Sequence, residues 1–351
     1  MTLTLSRRDL LRGAKGFALT TPFLSLVGCD EGISWPRTTT IAGPTMGTGY
    51  SVKITNAPPN LDRRILRAAI EQRLETVNQQ MSNWRAESEI SLVNAGLSSS
   101  WNTVSADTLS VVEEALHISR LSDGAFDPTI GPLVDLWGFG AASASRQVPP
   151  HSSIQEALGR TGFRHVQTRR APVAIAKHRP DIRIDLSGIA KGFAVDRLAE
   201  LLEAQGVAHY LVEIGGELRA RGLSARRRAW RIGVERPIAG RRAVQRIVAL
   251  GAGAIATSGN YRIFFDHDST RYSHIIDPRS GEPVGHALAS VTVISPSTMR
   301  ADALSTALMV LGPDAGYEMA LRQKIAALFI VKSGKSFAEI SSPAFERYLL
   351  G

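Results

Sequence analysis

Two oxygen-bearing side chains, Asp302 and Thr306, interrupt the apolar run ADALSTAL. The preceding SVTVIS alternates like a strand and SPST supplies turn and capping residues, which predicts a helix from Met299 to a stop at Gly312. Residues four apart on a helix share a face, with Cβ atoms about 5–6 Å apart. Ala303, Leu304, Ala307, Leu308 and Val310 make the rest of this helix apolar, so something polar must meet the Asp302 and Thr306 face. Spacing alone leaves a structural alternative open: Asp302 in the first turn answers the helix dipole, and Thr306 bonds back to a carbonyl.

Three other stretches carry chemistry-bearing residues. In IDLSGIAKGFAVDRLAELLEAQG a strand ends at Asp185-Leu186, a Ser187-Gly188 turn follows, and an amphipathic helix begins with Lys191 in its first turn. Free N–H groups at such a start suit a phosphate; Gly188 permits close approach and Lys191 adds positive charge. Ser187 as an ordinary cap is the alternative. In DGAFDPTIGPLVDLWGFG, Asp127 before Pro128 reads as an acidic N-cap with proline at the first helical position. The same stretch gathers Phe126, Trp137 and Phe139 where a flat ring could stack. RYSHIIDPRSGEP puts His274 and Asp277 at a strand end before a Pro278 to Gly281 turn; the histidine can donate to a phosphate, move a proton, or simply pack. Gly251 to Ala256 matches the letters of a dinucleotide fingerprint, but ATSGNYRIFF continues it as a strand, so a pyrophosphate would find no helix N-terminus.

The elements that position these residues run from helices to strands. TTTIAGPTMGTGYSVKIT is strand-like with a turn at Gly43-Pro44. LDRRILRAAIEQRLETVNQQMSNW and ADTLSVVEEALHISRLSDG have helical spacing. Later come strand-like DIRIDL, HYLVEIGG, RRAWRIGVE, GAIATSGNYRIFF, SVTVIS and KIAALFIVK, with helices after the first and fifth. That order predicts an α+β fold. With no internal repeat or long linker, one domain suffices for 351 residues, 44% hydrophobic and 21% charged.

The first 28 residues read as an export signal: a basic start, a short apolar run from Gly16 to Gly28, and small residues before cysteine. Ser6-Arg7-Arg8-Asp9-Leu10-Leu11 resembles a twin-arginine signal, and Leu26-Val27-Gly28-Cys29 resembles a lipobox in which Cys29 is acylated. Cys29 is the only cysteine, which excludes an internal disulfide and a cysteine-rich metal site. Residues 29–40 read as a tether and 41–351 as the catalytic domain. The net charge of +9 peaks around Arg226-Arg227-Arg228 and Arg241-Arg242, in turns between strands. Such tips are solvated or face an anionic membrane, and export argues against nucleic acid as the partner.

Taken in order, PTMGTGYSV, MSNWRAESEISLVN, GAFDPTIGPLVDLWGFG, IDLSGIAKGFAVD, TSGNYR, HIIDPRSGEP and ADALSTALMVLG resemble the ApbE family of FAD:protein FMN transferases. The resemblance implies an ApbE-like, T-fold-related mixed sheet with helices. It implies that Mg²⁺ and FAD bind in a cleft and that FMN passes to a threonine hydroxyl of another protein, releasing AMP. By the same match Asp302 and Thr306 are metal ligands, joined by the Gly188 backbone carbonyl. Met46, Trp84, Ala125, Phe126, Asp127, Asp185, Lys191 and Ile276 fall where the family holds FAD, and His274 where it meets the reacting diphosphate. Asp185 and His274 both stand as candidates to deprotonate the acceptor hydroxyl. The implied acceptor is the FMN-binding domain of a membrane redox protein, on the periplasmic side of a bacterial inner membrane. Rival readings are a hydrolase splitting FAD into FMN and AMP, and a non-catalytic flavin-binding or assembly lipoprotein.

Overall fold

The N-terminal hairpin forms, but its turn falls later than the glycine-proline pair suggests. β1 (Thr38–Thr45) pairs with β2 (Thr48–Thr55) through to the Thr45 and Thr48 register, so the turn is Met46-Gly47. Both turn residues have positive φ, 47° and 69°, the two-residue geometry that suits the twist of a hairpin. Gly43 and Pro44 lie inside β1, which is an edge strand and tolerates a missing N–H. Residues 38–40, read above as tether, pair with Thr55, Ile54 and Lys53 and belong to the folded domain. Along the open side of β1, Arg63 donates to the Thr40 carbonyl (2.9 Å) and Arg67 to that of Ala42 (3.1 Å).

The computed structural model describes residues 38–96, 100–141 and 146–350, and Pro36–Gly351 form one compact unit. The paired arginines, Cys29 and the tether as far as Arg37 lie outside the described residues. Among the described residues no helix is long and apolar enough to cross a membrane.

α1 (Arg63–Met81) starts at Asp62, whose carboxylate caps Arg64 and Ile65, and buries Leu66, Ile70, Leu74, Val77 and Met81 at helical spacing. α2 (Glu89–Ala95), β3 (Asn102–Thr103), α3 (Ala106–Leu121), α4 (Gly131–Leu136) and α5 (His151–Leu158) follow. β4 (Val166–Arg170) and β5 (Val173–Lys177) join β3 in a small sheet of order β3-β5-β4. Then come α6 (Ala190–Ala204), β6 (Tyr210–Ile214), β7 (Glu217–Arg221), β8 (Trp230–Glu235), β9 (Val244–Leu250), β10 (Ala252–Gly259), β11 (Phe264–His267) and β12 (Thr270–Ser273). β13 (Leu288–Ser295), α7 (Thr298–Arg322), β14 (Ala326–Ser333), β15 (Ser336–Ser341) and α8 (Pro343–Glu346) complete the chain. α7 is two segments: Gly312 (φ 83°, ψ −175°) ends the first, as the glycine stop predicts, and Pro313 opens the second.

The main sheet is antiparallel, of order β1-β2-β6-β7-β10-β13-β14-β15. Its two faces explain the continuous burial of β13: Val291 and Val293 enter the core shared with α1, α3, α6 and α7, while Ile294 enters a second core with Trp230, Val248 and Phe345. This is the α+β class read from the order of elements.

DIRIDL is the exception among the expected strands. Ile182, Ile184 and Leu186 alternate into the core, yet the segment joins no ladder. The Asn94 side chain takes the place of a strand, donating to the Ile184 carbonyl (2.8 Å) and accepting from its N–H (2.7 Å). GAIATSGNYRIFF is likewise divided, β10 ending at Gly259 and β11 starting at Phe264.

Candidate active site

The site forms where α6 and α7 cross, and each helix caps the other. The first residue before α6, Ile189, offers no capping side chain, and Ser187 is exposed with its N–H donated to Asp185 Oδ1 (2.8 Å). The acceptor at this helix start is Asp302, whose Oδ2 takes the Gly192 N–H (3.0 Å). Asp302 is the fifth residue of α7, beyond a first turn that contains no acid, so the local-dipole reading of Asp302 fails. The acid at the α7 start is Asp196 of α6, which accepts from Thr298 N–H and Met299 N–H (both 3.0 Å) and from the hydroxyls of Thr298 and Ser297 (both 2.8 Å). Arg219 Nη1 closes the same carboxylate at 2.8 Å. A Cβ on Gly192 would strike the Thr298 carbonyl and come within 2.8 Å of Asp302 Cβ, so the close crossing requires glycine there.

Beside Asp302 lies a buried cluster of charge. Lys191 Nζ is 3.3 Å from Glu217 Oε1 and 3.9 Å from Asp302 Oδ2. Glu217 opens β7 directly after the Gly215-Gly216 turn, and Gly215 N–H donates to the Gly49 carbonyl (3.3 Å). This bond brings Thr48, at the base of the first hairpin's turn, alongside Lys191: both side chains lie within 3.5 Å of the open Cβ position of Gly215. Burial opposes the Lys191 ammonium, but Asp302 and Glu217 outweigh it and hold its pKa above that of free lysine. Burial pushes the Glu217 carboxyl up to about 7, against the pull of Lys191. Burial raises Asp302 as well, opposed by Lys191 and by the Gly192 N–H.

Thr306 does not bond back along its own helix. Its Oγ1 is 3.1 Å from Ser258 Oγ, which is 2.8 Å from Ser305 Oγ, which donates to the Asp302 backbone carbonyl at 2.9 Å. A carbonyl only accepts, so the protons run one way: Thr306 to Ser258, Ser258 to Ser305, Ser305 to the carbonyl. Thr306 therefore spends its proton on Ser258 and keeps its lone pairs for a ligand. The Gly188 backbone is adjacent, its open Cβ position 3.7 Å from Thr306 Oγ1.

His274 has a defined tautomer. Its Nδ1 is 3.1 Å from the Ile263 carbonyl, so Nδ1 carries the proton and Nε2 the lone pair. Burial pushes its pKa down to about 4; the bond to Ile263 opposes this, and the Lys191 and Arg146 charges reinforce it. A run of rings backs it: Trp137 on Tyr272 (5.4 Å), Tyr272 on Phe265 (5.4 Å), Phe265 beside Phe139 (5.8 Å), and Phe139 edge-on to His274 (6.3 Å). Trp137 and Phe139 thus stack within the protein, and Trp137 Nε1 donates to the Gly281 carbonyl (2.8 Å).

The other expected site residues are distributed as follows. Asp127 is not a helix cap, since α4 starts at Gly131 with Pro132 in its first turn. Its carboxylate binds Thr129 N–H (2.7 Å) and Thr129 Oγ1 (2.6 Å) on one oxygen and Phe163 N–H (2.9 Å) on the other, and burial raises its pKa. Ala125 and Phe126 are buried in the main core, the Phe126 ring edge 3.2 Å from the open Cβ position of Gly188. Ile276 is buried in the cluster of Leu133 and Trp137. Met46 packs partly on the main core, and Trp84 is 73% exposed, its ring free for a ligand. Burial raises the Asp185 carboxyl, and one of its oxygens is taken by Ser187. Asp277 is a turn residue that pairs with Arg279 at 2.7 Å.

Glu217, Asp196, Ser258 and Ser305 escaped the sequence reading. Ser258 stood in TSGNYR, and Glu217 directly followed the Gly-Gly pair, a turn signal that marks what it presents to its neighbours. Among the described residues no three His, Cys, Asp or Glu side chains gather to hold a metal, so any cation here relies also on hydroxyl and carbonyl oxygens.

A family model described as the ApbE family matches residues 46–329. An FAD:protein FMN transferase of Vibrio cholerae is 42% identical over 93% of this chain and 96% of its own length; that of Escherichia coli K12 is 37% identical over 95% and 97%. The solved flavin transferase ApbE from Vibrio cholerae gives a TM-score of 0.83 at 42% identity, covering 90% of this chain and all of that one. The apo flavinyl transferase ApbE of Pseudomonas stutzeri gives 0.82 at 39% identity, covering 91% and 98%. With the family match spanning most of the chain and these relatives aligned along nearly their whole length, the chain belongs to the ApbE family.

Proposed function

We propose that this protein is a Mg²⁺-dependent transferase that moves FMN from FAD to a threonine hydroxyl of a separate protein, releasing AMP. The observation that carries the reading is the meeting of Asp302, Thr306, Lys191 and the Gly188 backbone at one helix start. Their chemistry suits a hard divalent cation: a carboxylate, a hydroxyl with its proton directed away, and a carbonyl. Asp302, Thr306 and Gly188 would hold Mg²⁺, which when bound neutralises charge developing on the diphosphate.

The remaining roles fall to the chain's own groups. Lys191 brings a charged ammonium to the diphosphate oxygens, and the exposed Trp84 ring and Met46 at the hairpin tip offer apolar contact to FAD. His274 Nε2 takes the proton of the acceptor hydroxyl, because it is neutral with an open lone pair at physiological pH. The acceptor oxygen then bonds to the phosphorus of the FMN half as the bond from that phosphorus to the AMP oxygen breaks. Asp185 shapes the turn that carries Gly188. Ala125, Phe126, Asp127 and Ile276, all buried, support the cleft from behind or meet FAD through backbone atoms.

The acceptor in this reading is the FMN-binding domain of a membrane redox protein, met by an exported chain anchored through Cys29 on the periplasmic side of the inner membrane. The test is to mix the protein with FAD, Mg²⁺ and a purified FMN-binding domain and follow covalent flavin and AMP. Equal amounts of both support transfer. AMP without covalent flavin makes the protein a hydrolase, and neither product makes it a flavin-binding lipoprotein.

A further inference from the structure

We propose that Glu217 draws the Lys191 ammonium away from Asp302 and thereby keeps the Asp302 carboxylate open to a divalent cation; this rests on the reading of Asp302 as a cation ligand. Lys191 Nζ stands nearer to Glu217 Oε1 (3.3 Å) than to Asp302 Oδ2 (3.9 Å). The ammonium is thus shared unequally between two carboxylates, and the nearer one is not a ligand candidate.

Glu217 is built to hold that position. It is 5% exposed, and its second oxygen, Oε2, is buried without a hydrogen-bond partner. A buried carboxylate oxygen left unpaired is costly, so its retention calls for a compensating role. Its backbone is fixed in the sheet, opposite Ile214 and directly after a turn held to Gly49. Lys191, by contrast, hangs on a four-carbon stem that reorients easily. Between two fixed carboxylates the flexible partner goes where the charge is greater.

The charge balance gives the consequence. With both carboxylates ionised, two negative charges and one ammonium leave a net charge of one negative in a largely buried cluster, which favours an added cation. Without the Glu217 charge, Lys191 closes on Asp302 and makes a neutral pair. An incoming cation then has to displace a half-buried ammonium from its ligand. Closing that separation by about 1 Å at an effective dielectric of about 20 corresponds to roughly tenfold in affinity.

The experiment titrates Mg²⁺ into the full-length, FAD-free protein by calorimetry at pH 8. Glu217→Gln, which preserves shape and the ability to accept from Lys191, is expected to bind Mg²⁺ about tenfold more weakly than wild type. Adding Lys191→Met to it is expected to restore wild-type affinity, since no ammonium remains to cover Asp302. Lys191→Met alone, should the Gln variant not fold, is expected to bind Mg²⁺ at least as tightly as wild type. Unchanged binding by Glu217→Gln, a double variant as weak as the single one, or weakened binding by Lys191→Met overturns the proposal. A wild type that transfers FMN while Glu217→Gln binds Mg²⁺ normally removes this inference alone; a wild type that neither binds Mg²⁺ nor releases AMP removes the functional reading with it.

Discussion

Asp196 and Asp302 cap each other's helices: Asp302, on α7, receives the Gly192 N–H of α6, and Asp196, on α6, receives the Thr298 and Met299 N–H groups of α7. The two acids are chemically alike and differ in completeness. Asp196 has contacts on both oxygens from five donor groups, whereas both recorded contacts of Asp302 fall on Oδ2. A saturated carboxylate is structural, and one with an oxygen to spare can take a ligand.

The first expected outcome follows from that difference. Asp196→Asn removes the shorter of the two ion pairs of Arg219, which keeps Glu203 at 3.9 Å, and weakens the acceptor shared by five donors; it is expected to cost about 3 kcal/mol, read as a fall of several degrees in melting temperature. Asp302→Asn still accepts from Gly192 and is expected to melt near wild type while AMP release collapses. Equal melting losses in the two variants would refute the division of roles.

The proton order through Thr306, Ser258 and Ser305 sets a second comparison. Thr306→Val, nearly isosteric, is expected to shift the Mg²⁺ dependence of AMP release to higher concentration, with activity recovering as Mg²⁺ is raised. Ser258→Ala leaves the Thr306 oxygen in place but frees its proton to turn toward the cation, and a smaller shift in the same direction is expected. A Mg²⁺ curve for Thr306→Val that superimposes on wild type would remove Thr306 from the ligand set.

His274 is expected to titrate near pH 4, and its Cε1 proton followed by NMR gives the midpoint directly. The folded pKa is depressed below the value near 6.5 of a free imidazole, so as pH falls through 6.5 the unfolded chain takes up the proton first. Stability from this group is therefore lost between about pH 6.5 and pH 4 and is constant below. His274→Gln is expected to lower transfer by about 10²–10⁴ with FAD binding retained, as for loss of a general base. A midpoint near 6.5 would contradict the half-buried, Nδ1-protonated imidazole.

Anchoring is tested at the N-terminus. Cys29→Ser is expected to yield folded protein that leaves the membrane on washing, and unchanged membrane retention would rule out Cys29 as the attachment point.

The helical period made Asp302 and Thr306 legible, because their shared face needs only the repeat of 3.6 residues. What meets that face was not legible. Asp302 caps a helix through a glycine 110 positions earlier in the chain, and Thr306 bonds to a serine on β10. DIRIDL shows the same limit: its alternation reads as a strand, yet what the alternation marks is burial of Ile182, Ile184 and Leu186, and Asn94, a side chain on α2, stands where a ladder partner would be. Asp127 misled for a related reason. Aspartate before proline is a strong helix-start signal locally, and here the carboxylate instead ties its loop to Thr129 and Phe163.

The arginines along β1 bear on the behaviour of the protein at high concentration. An edge strand with bare carbonyls is a template on which another chain can add a strand, the first step toward aggregation. Arg63 and Arg67 occupy the Thr40 and Ala42 carbonyls with guanidinium groups, and Pro44 farther along the strand has no N–H to offer. A second copy docking there would have to strip two hydrogen bonds from β1 and bring its own Arg63 and Arg67 against the same charges. Part of the basic excess of this chain thus acts as a guard on its N-terminal edge, keeping the molecule from recruiting copies of itself.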